Sequence, residues 1–350
     1  MSVSVFDHPW LGGLFGDAEM AAVLSPDRQI AHMTAFEAAW SRACGRAGLF
    51  DPETAERAAR AIEGAVIDRD DLASGMGRDG VPIPRLVAQL KSVAPAEAVH
   101  AGATSQDVVD TALAMTLREA SDLIAMRLRA IDGAFGALRD RFGAAPLMGR
   151  TRMQAATPIT VGDRLDTWRR PLAAHLDRLE QVRPRVERVQ VGGASGDRAA
   201  LGDSADAVVA DVARALGLAT TDKAWHAMRD GVAEYAGLLS LVTGTLGKFG
   251  QDIALMAQQG LDDVALSGGG GSSAMPHKQN PVEAELLVTL ARFNGAQVSA
   301  MHQALVHEQE RSGAAWTLEW MVLPQMLMAT GLSLSRAMSI SGAINRLGSM

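Results

Sequence analysis

The sequence predicts an all-α fold. Three observations carry that prediction: long intervals without proline, apolar residues inside them at steps of three and four, and scarce strand signals. No proline stands between Pro95 and Pro146, between Pro184 and Pro276, or between Pro281 and Pro324. β-branched alternation is sparse, and the chain has a single tyrosine.

In chain order, residues 1–105 hold short helices broken at Pro26, Pro52, the Gly75-Met76-Gly77 stretch and Pro82/Pro84. They are expected to form a smaller N-terminal helical domain. Val109, Leu113, Leu117, Leu123, Ile124, Leu128 and Ile131 then place a long helix in the first proline-free interval. Residues 192–203 read as a glycine-rich turn between two rods. With no strand before it, this turn lacks the context of a phosphate-binding loop. Val232, Leu238, Leu239, Val242, Leu246, Phe249, Ile253 and Met256 mark a second rod. Pro281 suits a helix start, and Leu286, Leu287, Leu290, Phe293 and Val298 continue a third. Helices of this length suggest a bundle over residues 106–350. Abundant alanine favours helix and lets rods approach closely. The apolar stripes left over predict an oligomer.

The chain has 350 residues, of which 48% are hydrophobic and 21% charged, as in an ordinary soluble protein of about two domains. Cys44 is the only cysteine, so no intrachain disulfide forms and the residue reads as a small buried hydrophobe. The first residues lack the basic and apolar regions of a signal peptide, and no apolar run reaches membrane-spanning length. A cytoplasmic setting is expected. The net charge of −7, with no basic stretch interleaved with aromatics, excludes nucleic acid as a partner of the overall field. An anionic substrate would need local cations.

Residues 267–281 read Ser-Gly-Gly-Gly-Gly-Ser-Ser-Ala-Met-Pro-His-Lys-Gln-Asn-Pro. Gly268 to Gly271 give a backbone that changes shape at low cost. Ser272, Ser273 and Lys278 follow, as a loop built to bring a hydroxyl, a cation and free N–H groups onto an anion would require. Glycine and serine alone would equally suit a plain linker. His100-Ala-Gly-Ala-Thr-Ser-Gln-Asp107 opens the first rod. Thr104 and Ser105 are N-cap candidates there, with Asp107 in the first turn. Such residues cap a helix, and together with its free N–H groups they can also bind a carboxylate. In Gly149-Arg-Thr-Arg-Met-Gln-Ala-Ala-Thr-Pro158, Arg150, Thr151, Arg152 and Gln154 stand just before a helix, suited to bidentate carboxylate recognition or to a solvated charge pair.

In this order, Thr-Ser-x-Asp, Gly-Arg-Thr-x-x-Gln-x-x-x-Pro and Ser-Ser-x-Met-Pro-x-Lys-x-Asn-Pro resemble the three signature regions of the fumarase/aspartase superfamily. The resemblance covers nearly the whole chain. It implies a homotetramer around a central bundle of long helices, with active sites assembled from three subunits. It implies that Ser272, with Ser273 beside it, moves the proton α to a carboxylate. Lys278 and the loop N–H groups would stabilise the aci-carboxylate, as an oxyanion hole does. Substrate binding would fall to Thr104, Ser105, Arg150, Thr151, Arg152, Gln154, Arg229 and Asn280, with His100 and Asp107 in support.

Departures from the family pattern narrow the reading. Lyases that expel an amine or alkoxide usually carry a histidine where this chain has Arg152. A carboxylate has a pKa of about 4 and departs or adds without such an acid. The substitution therefore points to chemistry in which a carboxylate itself adds to carbon, as in lactone formation. Glu285 matches a family glutamate that supports the missing histidine, so a salt bridge is one expectation for it. His8-Pro-Trp-Leu, Trp225-His226-x-x-Arg229-Asp230 and Glu310-Arg-Ser-Gly-Ala-Ala-Trp-Thr-Leu-Glu-Trp320 are similar to the branch that cyclises 3-carboxy-cis,cis-muconate. Trp225, Trp316 and Trp320 read as packing residues. Many family members continue into a C-terminal helical domain, absent or vestigial here, whose loss would open one side of the site. Neither metal nor organic cofactor is implied. A fumarate-releasing lyase and a non-catalytic descendant are the alternatives; the first needs a replacement acid from His100, His226 or His277.

Overall fold

A computed structural model of the chain describes residues 4–268, 270–271, 275 and 279–349. Among these the architecture is helical. Short helices α1 (Gly12–Phe15) and α2 (Ala18–Val23) lead into α3 (Pro26–Arg46), α4 (Pro52–Glu63), α5 (Arg69–Asp79) and α6 (Ile83–Val93). The starts of α3 and α4 are written in the sequence. Ser25 and Asp51 accept the first free N–H groups through their side chains, and Pro26 and Pro52 occupy the first helical position.

Five rods carry the bundle: α7 (Ser105–Phe142), α8 (Val161–Val186), α10 (Asp230–Met256), α11 (Val282–Gln303) and α12 (Ala314–Ala343), with the shorter α9 (Ala205–Leu216) between α8 and α10. The close α10–α11 contact depends on small residues. A Cβ at Gly247 would lie 2.5 Å from that of Ala291, and one at Gly250 would lie 2.5 Å from the Ala284 carbonyl oxygen. Most of the apolar residues that predicted rods are buried here, including Leu117, Ile124, Leu128, Leu239, Leu246, Phe249 and Leu287, while Val109, Leu113, Leu123, Phe293 and Val298 are half-buried.

A second apolar core joins Phe36, Trp40, Leu86 and Leu90 of the N-terminal helices to Val108 and Met115 of α7. Val189, Val191, Val208 and Val212 complete it, so α9 packs with the N-terminal helices. Cys44 lies in this core, and burial pushes its thiol up to about 12, which makes it inert.

Two small sheets depart from the all-helical expectation. β1 (Pro146–Thr151) and β2 (Gln154–Thr160) form an antiparallel hairpin, and β3 (Val264–Leu266) pairs with β4 (Ile344–Leu347). The hairpin turns on Arg152 and Met153, both left-handed at φ 49° and 67°. Glycine and asparagine are the usual residues at such a turn, so Arg152-Met153 carries no hairpin signal. No helix among the described residues is long and apolar enough to cross a membrane.

Candidate active site

The first turn of α7 gathers the first motif. Thr104 is extended at the N-cap (φ −128°, ψ 159°), and Ser105 opens the helix. Arg311, from the segment before α12, donates to Thr104 Oγ1 at 2.8 Å and to the carbonyls of Gly193 and Ala194 at 3.1 and 2.7 Å. A hydroxyl, a guanidinium and a positive helix end therefore meet at one place, a combination that favours a carboxylate. His100, at φ 59°, places Nδ1 2.6 Å from the buried carboxylate of Glu37. Of this group the sequence reading missed Arg311. Its signal was its place in the stretch 310–320, where no role was assigned to it.

Asp107 is completely buried and faces inward. Its carboxylate accepts from Thr104 N at 3.1 Å, Gly192 N at 2.8 Å and Gly193 N at 3.0 Å, and lies 2.8 Å from His226 Nε2. The glycine-rich turn is thus tied through Asp107 to the first turn of α7 and to the backbone of Thr104.

Arg229, expected among the substrate-binding cations, is 1% exposed and held between two carboxylates. It donates to Asp110 at 2.8 and 3.1 Å and to Glu319 at 2.9 and 2.5 Å. Trp225 covers its guanidinium at 4.8 Å, and the Trp316 indole donates to Asp110 at 3.1 Å. Burial opposes both charges. Even so, Asp110 and Glu319 hold Arg229 above its ordinary value, and Arg229, with His307, holds the Glu319 carboxyl below its own. Four of the five guanidinium donors are spent inside the protein, so Arg229 braces the frame behind the site.

The second motif forms the hairpin. Arg150, Thr151, Arg152 and Gln154 are all exposed, and their side chains have no hydrogen-bond or ion-pair partner among the described residues. They were expected just before a helix; that helix, α8, starts only at Val161, after β2. Of the third segment, Gly270 and Asn280 pair through their backbones at 3.1 and 2.9 Å. Ser272, Ser273 and Lys278, and with them His277, lie outside the described residues. In the first turn of α11, Glu283 accepts from Arg336 at 2.9 Å and Ser339 at 2.8 Å. Glu285 points outward and has no ion pair among the described residues.

Among the described residues, the first and second motifs of one chain do not meet. Thr104 and Arg311 sit at one end of α7, and the root of the hairpin at Pro146 sits beyond the other. With 38 residues, α7 is about 57 Å long. The described start of the third segment lies at the hairpin's end, because Ser267 bonds Ala343, β3 pairs with β4, and Ser349 bonds Pro146. A hairpin arm of six residues reaches about 20 Å, too little to return to Thr104.

A bundle of long helices with hydroxyl, arginine and glycine-rich signatures at its two ends defines the helical lyase class. The lyase family profile matches residues 24–294. The chain belongs to this family, within the fumarase/aspartase superfamily. It is 38% identical over 336 residues to a 3-carboxy-cis,cis-muconate cycloisomerase of Pseudomonas aeruginosa, covering 93% of this chain and 73% of that protein. An N-acetyl-S-(2-succino)cysteine lyase of Enterococcus italicus is 30% identical over 93% of this chain and 73% of that protein. The crystal structure of 3-carboxy-cis,cis-muconate lactonizing enzyme from Pseudomonas putida superposes with a TM-score of 0.90 at 36% identity, covering 97% of this chain and 77% of that one.

Proposed function

We propose that the protein cyclises 3-carboxy-cis,cis-muconate to 4-carboxymuconolactone. The observation that carries this reading is the 38% identity over 93% of the chain to a cycloisomerase of that name. Arg152 supports it: an exposed guanidinium at the hairpin tip can orient an attacking carboxylate, and this chemistry needs no leaving-group acid there.

One substrate carboxylate adds to the conjugated double bond and forms the lactone C–O bond. The electron pair moves toward the carbon α to a second carboxylate, which Ser272 protonates as general acid, with Lys278 and loop N–H groups stabilising the aci-carboxylate. A trianion thereby becomes a dianionic lactone, and each turnover takes one proton from solvent. Thr104, Ser105 and Arg311 would hold a further carboxylate, with Arg150, Thr151, Arg152, Gln154 and Asn280 around the rest. Protonation and electrostatics suffice for this step without a metal or organic cofactor. A reducing cytoplasm accords with the single buried Cys44.

We place the complete site between subunits of a homotetramer. The separation of the motifs along α7 supports this, because a small polycarboxylate cannot span it. The outer faces of the rods offer contact surface: Leu241 is 52% exposed and Met321 67%.

Purified protein mixed with 3-carboxy-cis,cis-muconate should remove the diene absorbance and take up one proton per lactone. In D2O the product should carry one deuterium on the protonated carbon. An intact diene in the presence of folded oligomer would overturn the reading. Fumarate release from S-succinyl thiols would then assign the lyase alternative instead.

A further inference from the structure

We infer that His226 is a positioning residue for the substrate-carboxylate subsite, acting through Asp107 on the α7 N-terminus and the Gly192–Gly193 turn. The inference rests on the proposed reading that Thr104 and Arg311 hold a substrate carboxylate.

The Asp107 carboxylate can only accept hydrogen bonds when ionised, so the 2.8 Å contact requires a proton on His226 Nε2. With that donor and three backbone N–H groups, all four contacts of the buried carboxylate are filled. Each contact fixes part of the subsite. The Thr104 N–H sets the residue whose hydroxyl takes Arg311. The Gly192 and Gly193 N–H groups set the turn whose Gly193 and Ala194 carbonyls take the same guanidinium.

The ring itself is locked in place. A Cβ on Gly192 would lie 2.5 Å from His226 Cε1, and Gly193 adopts φ 67°, so the turn wraps the imidazole with bare backbone. His226 is 2% exposed, and its Nδ1 is buried without a partner among the described residues. Only Nε2 is used. A ring kept inside the protein for one donor, aimed at the one carboxylate that joins motif, turn and cap, is placed to hold geometry.

Two amide variants separate the ring's two nitrogens. His226→Gln puts an N–H near the Nε2 position, whereas His226→Asn puts one near Nδ1, where no described residue accepts it. Because Thr104 and Arg311 bind substrate and transition state alike, His226→Asn should raise KM about ten-fold with kcat within about two-fold. His226→Gln should restore KM to within about three-fold of wild type. His226→Phe, which fills the ring volume without a donor, stands in for His226→Asn if that variant misfolds. Circular dichroism and size-exclusion profiles must match wild type.

Calorimetric titration with propane-1,2,3-tricarboxylate, a saturated tricarboxylate, reads the same subsite without turnover. If wild type binds it but does not cyclise the muconate, the functional reading fails while the positioning test still runs. Equal affinities for the Gln and donor-lacking variants, or wild-type affinity in both, would overturn the role of His226.

Discussion

Arg229 and Arg152 show how two arginines in one chain come to do different things. Arg229 is 1% exposed between two carboxylates, and removing it strands both charges inside. Arg229→Leu is expected to cost about 3–5 kcal/mol of stability, measured by denaturant unfolding. The Glu319 pair also has a pH signature. Its folded carboxyl lies below the ordinary value of 4.5, so the unfolded chain binds more protons in the acid range. The stabilisation is complete above the ordinary value and is lost as pH falls through the folded one. In Arg229→Leu burial is left to raise the Glu319 carboxyl, so that loss of stability toward acid should disappear or reverse. Arg152, exposed at the hairpin tip and unpaired among the described residues, has the opposite profile. Arg152→Ala should change stability by less than about 0.5 kcal/mol yet lower kcat/KM about 100-fold.

The hairpin and α8 carry predictions of their own. Two consecutive non-glycine residues in the left-handed region make the β1–β2 turn strained, and such strain tends to be kept where side chains have work to do. Replacing Arg152-Met153 with Asn-Gly suits the turn and should leave thermal stability equal or higher. Activity should be lost all the same, which separates the turn from its cation. In α8, His175 is buried against Thr245 of α10 at 2.8 Å. Burial, with Arg178 nearby, pushes its imidazole down to about 4. The folded state therefore holds fewer protons than the unfolded chain from about pH 6.5 to about pH 4. Stability should fall as pH is lowered through that window. His175→Gln, which can keep the bond to Thr245, should flatten the slope in urea titrations run across it.

At the scale of the whole molecule, the decisive feature is the length of α7. If sites form between chains, Thr104→Ala and Arg152→Ala subunits fail for different reasons, and each carries what the other lacks. Mixing the two inactive variants by denaturation and renaturation should restore part of the wild-type rate. Light scattering should give the mass of four chains of 36.8 kDa each. Recovery of nothing above either parent would mean that each chain supplies its own site.

Much of this was legible before any coordinates. Apolar spacing located α7, α10 and α11, because a helix buries one stripe at a fixed period. It did not locate α8 and α12, which carry Pro171, Pro184 and Pro324 inside them where prolines read as breaks. The residue order of three short motifs pointed to the family, and the family match over residues 24–294 bears this out. Tertiary structure alone decided the rest. The hairpin was invisible because its turn uses Arg152 and Met153 in a conformation their types do not advertise. Arg229 looked like a ligand for substrate, and only its neighbours Asp110 and Glu319, far away in sequence, show that its charge is already matched. His226 and Asp107 stand 119 positions apart, and nothing local links them. Sequence carries periodicity and residue chemistry, which act along the chain. Burial and the pairing of distant charges belong to the folded arrangement, where the solvent is gone and each polar group must find its partner.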